Sequence, residues 1–416
     1  MASESFGIGF VSAGFITRES HAPSVGYLPN VHVAGIQNRT RSNAQSLADI
    51  CRAEGWGDPS VYGEDAVADL VADPDVDGLW VTSPNFTRVD VVEAAVGAVE
   101  DEAALRGIAL EKPVARTLEE AHRIIDLVEG VDLPHAYLEN WPHEPEIEKM
   151  KRLLWEQGRA AGRPYIARSQ AEHSGPHSGW FWDGRKQGGG ALTDMLCHAL
   201  AGNDFLLSDP DGEAALTPVS VSADTETIKW TQDAYADRLE ADFGIDFAAN
   251  PVDDYARTTV RYEDDEGRTV VSEATGSWCY VGSGVHRTVE LLGPEYSGQV
   301  LSDDASSSVF FSDDLGEGEG WAEKQTATSG RMPIAAADVV TSGFAAENRD
   351  AVAAFRAGEN ATLDLHDGER ILRLCMAAYK AAEDGADVDL QAVDLEGYTP
   401  PPARDAASEG PEGPRE

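Results

Sequence analysis

The feature that most constrains the fold is a regular alternation of short apolar runs and amphipathic segments over residues 6–129. The runs predict strands at Phe6–Ser12, Val31–Ile36, Val76–Thr82 and Ile108–Leu110, with helices at His21–Tyr27, Asn43–Glu54, Val89–Val99 and Leu118–Glu129. Parallel strands need crossover connections, and helices of these lengths supply them. This region therefore predicts an α/β domain built on a doubly wound parallel sheet with helices on both faces.

The rest of the chain has longer alternating stretches and fewer helices. Strands are predicted at Tyr165–Gln170, Thr217–Trp230, Thr258–Tyr262, Val270–Tyr280 and Thr288–Leu292, and helices at Glu146–Glu156, Phe344–Arg356 and Glu369–Glu383. Because 416 residues exceed one typical domain, we expect a first domain over 1–139, a second over 140–398 and a disordered Pro/Gly-rich acidic tail over 399–416. Residues 232–254 form an acidic insertion without clear periodicity, and 303–320 a loop rich in Ser, Asp and Gly.

The charge of the chain excludes some classes of partner. Acidic residues number 74 against 32 basic ones, which gives a formal net charge of −42. So negative a chain is not expected to bind nucleic acid or an anionic membrane surface. The acids are spread along the whole sequence and lysine is rare, a pattern typical of a halophilic cytoplasm where concentrated counterions screen self-repulsion. A merely acidic protein working at ordinary salt is the alternative.

The cysteines and the hydropathy of the chain indicate its cellular compartment. The four cysteines, Cys51, Cys197, Cys279 and Cys375, are far apart, so neither a disulfide framework nor a metal site is indicated. The N-terminal residues lead directly into a strand, and no apolar run approaches the length of a membrane span. These features predict a soluble, cytoplasmic protein.

The first strand-to-helix turn is the place where a doubly wound domain binds a dinucleotide. With Gly14 as the second glycine of the usual fingerprint, Ser12 stands at the first position and Thr17 at the third. The strict G-x-G-x-x-G pattern is therefore absent. We nevertheless predict cofactor contacts at Ser12, Gly14, Phe15 and Ile16.

The end of the second strand bears on the choice of dinucleotide. An acid that contacts the ribose hydroxyl is usual for NAD, but this chain has Asn38-Arg39-Thr40-Arg41. A neutral Asn38 followed by arginines favours the extra phosphate of NADP over NAD. The alternative is that Asn38 opens the turn and both arginines are solvated.

Two further loops follow strands whose carboxyl ends face the same crevice. Ser83-Pro84-Asn85 follows one, and Glu111-Lys112-Pro113 follows another, which puts a lysine at the binding edge of the sheet. Ser83, Pro84, Asn85 and Glu111 are therefore predicted cofactor contacts. Lys112 is a candidate for contact with both cofactor and substrate. A plain surface charge is the alternative.

The stretch Gly188-Gly189-Gly190-Ala191-Leu192-Thr193-Asp194-Met195-Leu196-Cys197-His198 carries the second candidate group. Three glycines permit close approach of the backbone to a ligand, and a helix that begins after them would project Asp194 and His198 from one face. A carboxylate beside an imidazole is suited to proton transfer near neutral pH. An ordinary surface or capping pair is the alternative.

An aromatic loop lies just upstream of these glycines. It contains His173, His177, Trp180 and Trp182. Aromatic faces beside histidines are suited to a sugar ring, which offers C–H faces and hydroxyls. A hydrophobic plug under the second domain is an equally supported alternative.

Taken in order and spacing, these motifs resemble the glucose-fructose oxidoreductase and inositol dehydrogenase (Gfo/Idh/MocA) family. The similarity extends from about residue 5 to about residue 390, and the combination of Glu111-Lys112-Pro113 with Asp194-x-x-x-His198 is quite specific. The resemblance implies a Rossmann domain followed by an α+β domain with an open, mostly antiparallel sheet that commonly forms an oligomer interface. We therefore expect a homo-oligomer, either a dimer or a tetramer.

The resemblance also implies a catalytic set of Lys112, Asp194 and His198, with Lys112 near nicotinamide and substrate and a cis Lys112–Pro113 bond. Two positions depart from the family pattern: Ser12 replaces a glycine, and Arg88 stands where a histidine commonly follows the Thr-Pro-Asn segment. Serine narrows the turn over the pyrophosphate but is still a small residue, and the resemblance does not extend to the contribution of position 88 to the cofactor pocket.

The hypothesis is an NAD(P)-dependent dehydrogenase acting on a secondary hydroxyl of a sugar, sugar acid or cyclic polyol, with His198 as general base. Lys112 would bind the reacting oxygen, and Asp194 would orient the base or hydrogen-bond an adjacent hydroxyl. One rival is an NAD-dependent glycosidase of the same superfamily. The other is a non-catalytic sensor of nucleotide or sugar.

Overall fold

The computed structural model describes residues 5–282, 284–301, 307–311, 331–333 and 342–404. The chain divides into two compact units, the first comprising Met1–Glu144 and Asp338–Arg370, the second Pro145–Ala337 and Ile371–Glu416. Most of the predicted loop 303–320 and of the predicted tail 399–416 lies outside the described residues. Within them, Ser308–Phe311 is a strand instead of a loop, and Pro401–Ala403 is a short 3-10 turn.

The first unit contains the predicted doubly wound sheet. Its strands are β1 (Phe6–Val11), β2 (Val31–Gln37), β3 (Ser60–Tyr62), β4 (Gly78–Val81), β5 (Gly107–Glu111) and β6 (His135–Leu138). All are parallel, in the order β3-β2-β1-β4-β5-β6 within the described residues. The sequence prediction missed β3 and β6, because the first is a short, partly exposed edge strand and the second begins with a histidine.

The helices between these strands start and end close to the predicted positions. After a π-helical turn at Thr17–His21 come α1 (Ala22–Val25), α2 (Arg41–Glu54), α3 (Val67–Val71), α4 (Arg88–Glu100) and α5 (Leu118–Glu129). The predicted bounds of α5 agree with the structure because Thr117 caps it, accepting a hydrogen bond from the Glu120 amide. Short α3 was not predicted.

A helix from late in the chain completes the core of the first unit. Helix α10 (Phe344–Ala357) places Phe355 edge-on against Trp80, at 5.8 Å between ring centroids. A Cβ at Gly107 of β5 would lie 2.3 Å from that phenyl ring, so only glycine permits this approach. The predicted second domain, 140–398, included α10, whereas the observed division assigns this helix to the first unit. An amphipathic pattern predicts that one face of a helix is buried but does not say which sheet covers it.

The second unit is built on a mixed, mostly antiparallel sheet, as expected from the family resemblance. Its longer strands are β7 (Ile166–Glu172), β8 (Leu216–Glu226), β9 (Tyr255–Asp264), β10 (Thr269–Ser277), β11 (His286–Leu292) and β12 (Tyr296–Leu301). Three shorter strands are β13 (Ser308–Phe311), β14 (Arg331–Pro333) and β15 (Val388–Asp389). Over the described residues their order is β14-β13-β12-β11-β7-β10-β9-β8-β15, and the pairing of β7 with β10 is parallel.

Helices α6 (Pro145–Gly158) and α8 (Cys197–Leu207) pack on this sheet. Further helices are α7 (Gly184–Gln187), α9 (Asp233–Phe243) and α11 (Leu365–Asp384), of which α11 belongs to the second unit from Ile371 onward. Helix α8 packs on β7 and β10, and residues of β9 alternate between buried and exposed, which leaves the opposite face polar. In the part of the chain that the structure describes, no helix is long and apolar enough to span a bilayer.

The acidic insertion 232–254 is more ordered than its composition indicated. It contains α9, which ends at Gly244 in the left-handed conformation, and it ends in two fully or almost fully buried acids, Asp253 and Asp254. The Asp254 carboxylate accepts the backbone N–H groups of residues 228, 229 and 230 at 2.7–2.9 Å. The insertion shows no periodicity because these buried acids bind loop backbone and do not recur along one face of a helix or strand.

Candidate active site

The first glycine position of the dinucleotide turn is occupied by Ser12, which has a φ of 94°. This conformation favours glycine, which explains why the family usually has glycine here. The Ser12 Oγ accepts the N–H of Gly14 at 3.2 Å, and Thr17 Oγ1 donates to the Ser12 carbonyl at 3.0 Å. Side-chain hydroxyls therefore stabilise a turn that glycines usually form, and the turn remains compatible with a dinucleotide.

The predicted cofactor segment at the end of β2 splits into a structural and an exposed part. Asn38 Oδ1 accepts the N–H of Ala13 and its Nδ2 donates to the carbonyl of Thr40, both at 3.0 Å. Arg39, Thr40 and Arg41 are exposed. Asn38 thus fixes the turn beside Ser12, and the neighbouring arginines are the groups accessible to a ligand.

The segment after β4 is more buried than expected for a cofactor contact. Ser83 and Asn85 are 7% and 2% exposed, whereas Pro84 is half-buried. Arg88, the residue that departs from the family pattern, is buried and donates to the carbonyl oxygens of Ser83 and Lys112, at 3.4 and 3.1 Å. Its guanidinium therefore connects the two loops that follow β4 and β5.

The Glu111-Lys112-Pro113 segment is fixed by buried hydrogen bonds, and the expected cis Lys112–Pro113 bond is confirmed. Glu111 Oε1 lies 2.8 Å from His21 Nε2, and Oε2 accepts the backbone N–H of Lys112 at 2.9 Å. Burial raises the pKa of Glu111, but the hydrogen bond and charge of His21 outweigh it and hold this pKa below its ordinary value. Glu111 is thus a buried carboxylate that contacts the Lys112 backbone.

A second buried acid lies near this carboxylate. Glu347 of α10 is 2% exposed, and among the described groups neither of its oxygens has a hydrogen-bond partner. Burial, with the nearby charges of Glu111, Glu139 and Asp350, raises the pKa of Glu347 well above its usual value. Glu347 therefore stays protonated in the folded state to higher pH than in the unfolded chain.

We expect Glu347→Gln to stabilise the protein at pH 8 and to have little effect near pH 4. Above about pH 4.5 the unfolded carboxyl ionises first, so rising pH favours unfolding of the wild type but not of the glutamine variant. Each tenfold change in the ionisation constant corresponds to about 1.4 kcal/mol. Denaturant titrations at the two pH values measure the difference; equal stabilities at pH 8 would contradict it.

In the second unit, Asp194 lies in a π-helical turn, Leu192–Leu196, and not in the predicted α-helix, which begins as α8 at Cys197. Asp194 is 4% exposed. Its Oδ2 accepts hydrogen bonds from Trp278 Nε1 at 3.0 Å and His173 Nε2 at 3.3 Å. Because Gly175 N–H donates to His173 Nδ1, the proton of the neutral ring is on Nε2 and points at Asp194.

Gly189 and Gly190, before Asp194, were predicted to permit close approach of the backbone to a ligand, but their neighbours are groups of the protein itself. A Cβ at Gly189 would lie 2.3 Å from the Tyr379 hydroxyl, and one at Gly190 would lie 2.3 Å from the Asp253 carbonyl. The close approach is therefore to this protein's own side chains and backbone. Tyr379 Oη accepts the Gly190 N–H and donates to Asp253 Oδ1, both at 2.8 Å, while Asp253 Oδ2 accepts the Leu192 N–H.

Burial raises the pKa of Asp253 to about 6, although the hydrogen bonds from Leu192 and Tyr379 lower it. Tyr379 and Asp253 thus fix the backbone that carries Asp194 and leads to His198, which is half-buried at the start of α8. Neither was predicted. In a chain with 74 acidic residues no single aspartate stands out, and the tyrosine lies far away in sequence.

The aromatic loop was predicted either to contact a sugar ring or to form a hydrophobic plug, and its residues differ in this respect. Trp182 is 2% exposed and packs edge-on against Trp230 and Trp278, so this predicted substrate contact is instead part of the core. Trp180 is half-buried and stacks on Phe181 at 3.8 Å. His177 lies 5.8 Å from that phenyl ring, and desolvation lowers its pKa. Trp180, His173 and His177 remain candidates for substrate contact.

One cluster in the first unit has metal-ligand chemistry. Glu129, His135 and His366 each place a ligand atom within 4.8 Å of the others. However, His135 Nδ1 accepts the N–H of Leu365 at 3.2 Å, and the Asn360 amide nitrogen lies 3.1 Å from Nε2, the atom that faces Glu129. Both ring nitrogens of His135 thus already have protein partners, and the donor chemistry does not favour an ion here.

Comparison with protein families gives two matches. Residues 6–134 match the oxidoreductase family with an NAD-binding Rossmann fold (GFO/IDH/MocA), and residues 147–296 match the C-terminal domain of the same family. The expected Rossmann fold is therefore confirmed for the first unit.

Two similar curated proteins are a 1,5-anhydro-D-fructose reductase from Ensifer adhaerens and a levoglucosan dehydrogenase from Pseudarthrobacter phenanthrenivorans. The first is 30% identical over 166 residues, covering 39% of this chain and 47% of the reductase. The second is 27% identical over 146 residues, covering 34% of this chain and 35% of the dehydrogenase. The matched region spans about half the length of the first curated relatives.

Solved structures match along almost the whole chain. A levoglucosan dehydrogenase in complex with NADH and levoglucosan has a TM-score of 0.69 at 20% identity, covering 93% of this chain and 99% of that one. An aldose-aldose oxidoreductase from Caulobacter crescentus, complexed with glycerol, has a TM-score of 0.70 at 16% identity, covering 93% and 100%. At such identities the likeness shows the fold.

Proposed function

Because the chain belongs to the GFO/IDH/MocA family of NAD-binding oxidoreductases, we propose that it transfers a hydride between nicotinamide and a secondary hydroxyl of a sugar, sugar acid or cyclic polyol. Its relatives include a reductase of an anhydro sugar and a levoglucosan dehydrogenase, which supports a sugar-like substrate. When bound, the nicotinamide supplies the hydride acceptor.

Side chains of the protein supply proton transfer, charge stabilisation and substrate contact. His198 takes the hydroxyl proton as general base, and the Lys112 ammonium donates a hydrogen bond to the reacting oxygen and stabilises its developing charge. Asp194 contributes negative charge beside the base and contacts an adjacent hydroxyl. His173, His177 and Trp180 contact the sugar.

The observation that carries this proposal is the environment of Asp194. A carboxylate that is 4% exposed and accepts two N–H groups has a fixed position, and it lies four residues before a half-buried histidine. An ordinary surface or capping pair would be solvated. Fixed donors and acceptors are what proton transfer requires.

We propose NADP as the preferred cofactor, with NAD as the alternative that the family model favours. The exposed Arg39 is the group that would meet the ribose phosphate. Arg39→Ala is expected to weaken NADP binding about tenfold and to leave NAD binding unchanged. Arg123→Ala, an exposed arginine of the same unit, is the control. Equal effects on both dinucleotides, measured by fluorescence titration, would contradict the preference.

The decisive assay follows nicotinamide absorbance with NAD or NADP and a panel of aldoses, inositols and sugar acids, from low salt to multimolar KCl. Cofactor reduction that requires Lys112 supports the proposal, and a rate that rises with KCl supports a halophilic cytoplasm. Glycoside cleavage without net reduction would instead indicate the glycosidase. Binding without turnover on every substrate would indicate a sensor.

We also propose that the polar face of the second unit's sheet forms a homo-oligomer. It presents charged residues such as Arg168, Glu273, Arg257 and Asp224. Light scattering in KCl measures the mass directly; a monomer at working concentrations would exclude a dimer or tetramer.

A further inference from the structure

Hydrogen bonds around Asn348 determine the orientation of its amide. Trp80 Nε1 donates to Asn348 Oδ1 at 2.8 Å, and an indole N–H cannot accept. Asn348 Nδ2 donates to Ser24 Oγ at 2.6 Å, and that hydroxyl in turn donates to the carbonyl of His21 at 2.7 Å. The oxygen of Asn348 therefore faces His21.

This orientation of the Asn348 amide determines which nitrogens of the buried His21 ring carry a proton. Nδ1 lies 3.2 Å from Asn348 Oδ1, and Nε2 lies 2.8 Å from Glu111 Oε1. The amide oxygen only accepts, and Glu111 is a carboxylate because the positive charges of Lys112 and Arg88, besides its contact with His21, lower its pKa. Both ring nitrogens must then donate, so His21 is an imidazolium paired with a carboxylate, and it is 0% exposed.

The pair acts on the backbone of Lys112. The Lys112 N–H is shared between two acceptors, the second oxygen of Glu111 at 2.9 Å and the Leu138 carbonyl at 3.2 Å, while Arg88 donates to the Lys112 carbonyl at 3.1 Å. Two buried charged groups thus bind the two sides of one residue's backbone. A buried ion pair is weak evidence for stability, since apolar residues of similar volume often stabilise as well or better.

We propose that His21 is a positioning residue, which through Glu111 fixes the peptide that presents the Lys112 amine to the reacting oxygen. The inference rests on the proposed function in one respect only, the catalytic use of Lys112. His21 itself is 0% exposed and acts on this segment through its contact with Glu111.

Three variants test this role. His21→Gln keeps an N–H donor for Glu111 without the charge. His21→Leu combined with Glu111→Gln removes the ion pair but leaves no uncompensated buried charge, so the chain is expected to fold. His135→Asn alters another buried histidine of the same unit and is the matched control.

The readout that needs neither cofactor nor substrate is hydrogen exchange of the Lys112 amide, followed by mass spectrometry. Because the Leu138 carbonyl and the glutamine oxygen can still accept this N–H, we expect exchange only about threefold faster in the double variant, a smaller change in His21→Gln, and wild-type protection in His135→Asn. With the best substrate of the panel, kcat should fall on the order of 10–100-fold in the double variant and less in His21→Gln. NAD affinity should stay within about threefold, because the change affects positioning of one group.

Lys112→Met separates the two ideas. If Lys112→Met keeps full activity, the proposed function is wrong about that lysine, whereas the exchange data still report on positioning. If Lys112→Met is inactive but the folded double variant keeps wild-type kcat and amide protection, the positioning role of His21 is wrong.

Discussion

Replacement of His198 by alanine is expected to lower kcat by about 10²–10⁴-fold, the contribution typical of a positioned general base. NAD affinity should change little, because His198 lies on α8, outside the segments that are predicted to contact the dinucleotide. Single-turnover absorbance measurements separate the hydride step from binding and product release. His122→Ala, at a half-buried histidine of the first unit, is the control.

A folded His198→Ala variant with undiminished kcat would remove the histidine from the mechanism. A variant whose kcat is unchanged but whose KM rises would assign His198 to substrate binding instead. Rescue by added imidazole, if the loss is recovered with a dependence on the concentration of the free base, would support the role of general base directly.

Replacement of Asp194 is expected to have the second large effect, and two substitutions distinguish charge from hydrogen bonding. Asp194→Asn keeps an oxygen that accepts from His173 and Trp278 but removes the negative charge, and we expect kcat to fall by about 10²-fold or more. Asp194→Leu also removes the acceptor of the buried Trp278 N–H, at about 1–3 kcal/mol, and that of the half-buried His173 N–H, which water can partly replace.

Unfolding free energies and kcat, measured for both variants, test this distinction. Asp204→Asn, a change at another buried acid, carried by α8, is the control. An Asp194→Asn variant with full activity would show that only the hydrogen bonds matter. A stable Asp194→Leu variant would contradict the accepted bonds themselves.

The sequence predicted most reliably those elements that depend on local patterns. Helix α5 was predicted with its observed bounds because Thr117 provides a cap next to an amphipathic repeat. The parallel sheet followed from alternation, and the Glu111-Lys112-Pro113 loop followed from its position at a strand end. Such features require no knowledge of distant residues.

Features that depend on distant partners could not be predicted in this way. The glycines before Asp194 looked like a ligand cradle, but their neighbours are Asp253 and Tyr379, about 60 and 190 residues later in the chain. Trp182 looked like a stacking surface, but Trp230 and Trp278 cover it. Composition records that an aromatic ring or a glycine is present, but not which partner contacts it.

The late position of Tyr379 and Asn348 has a consequence for synthesis of the protein. The ribosome makes the Asp194 segment and the His21 helix long before the residues that complete their hydrogen bonds. A nascent chain of about 300 residues can form β-sheet pairs in both units, yet neither of these two segments has its final partners. The chain is therefore expected to gain catalytic activity only near the end of translation. Incomplete chains should lack activity even when they are compact.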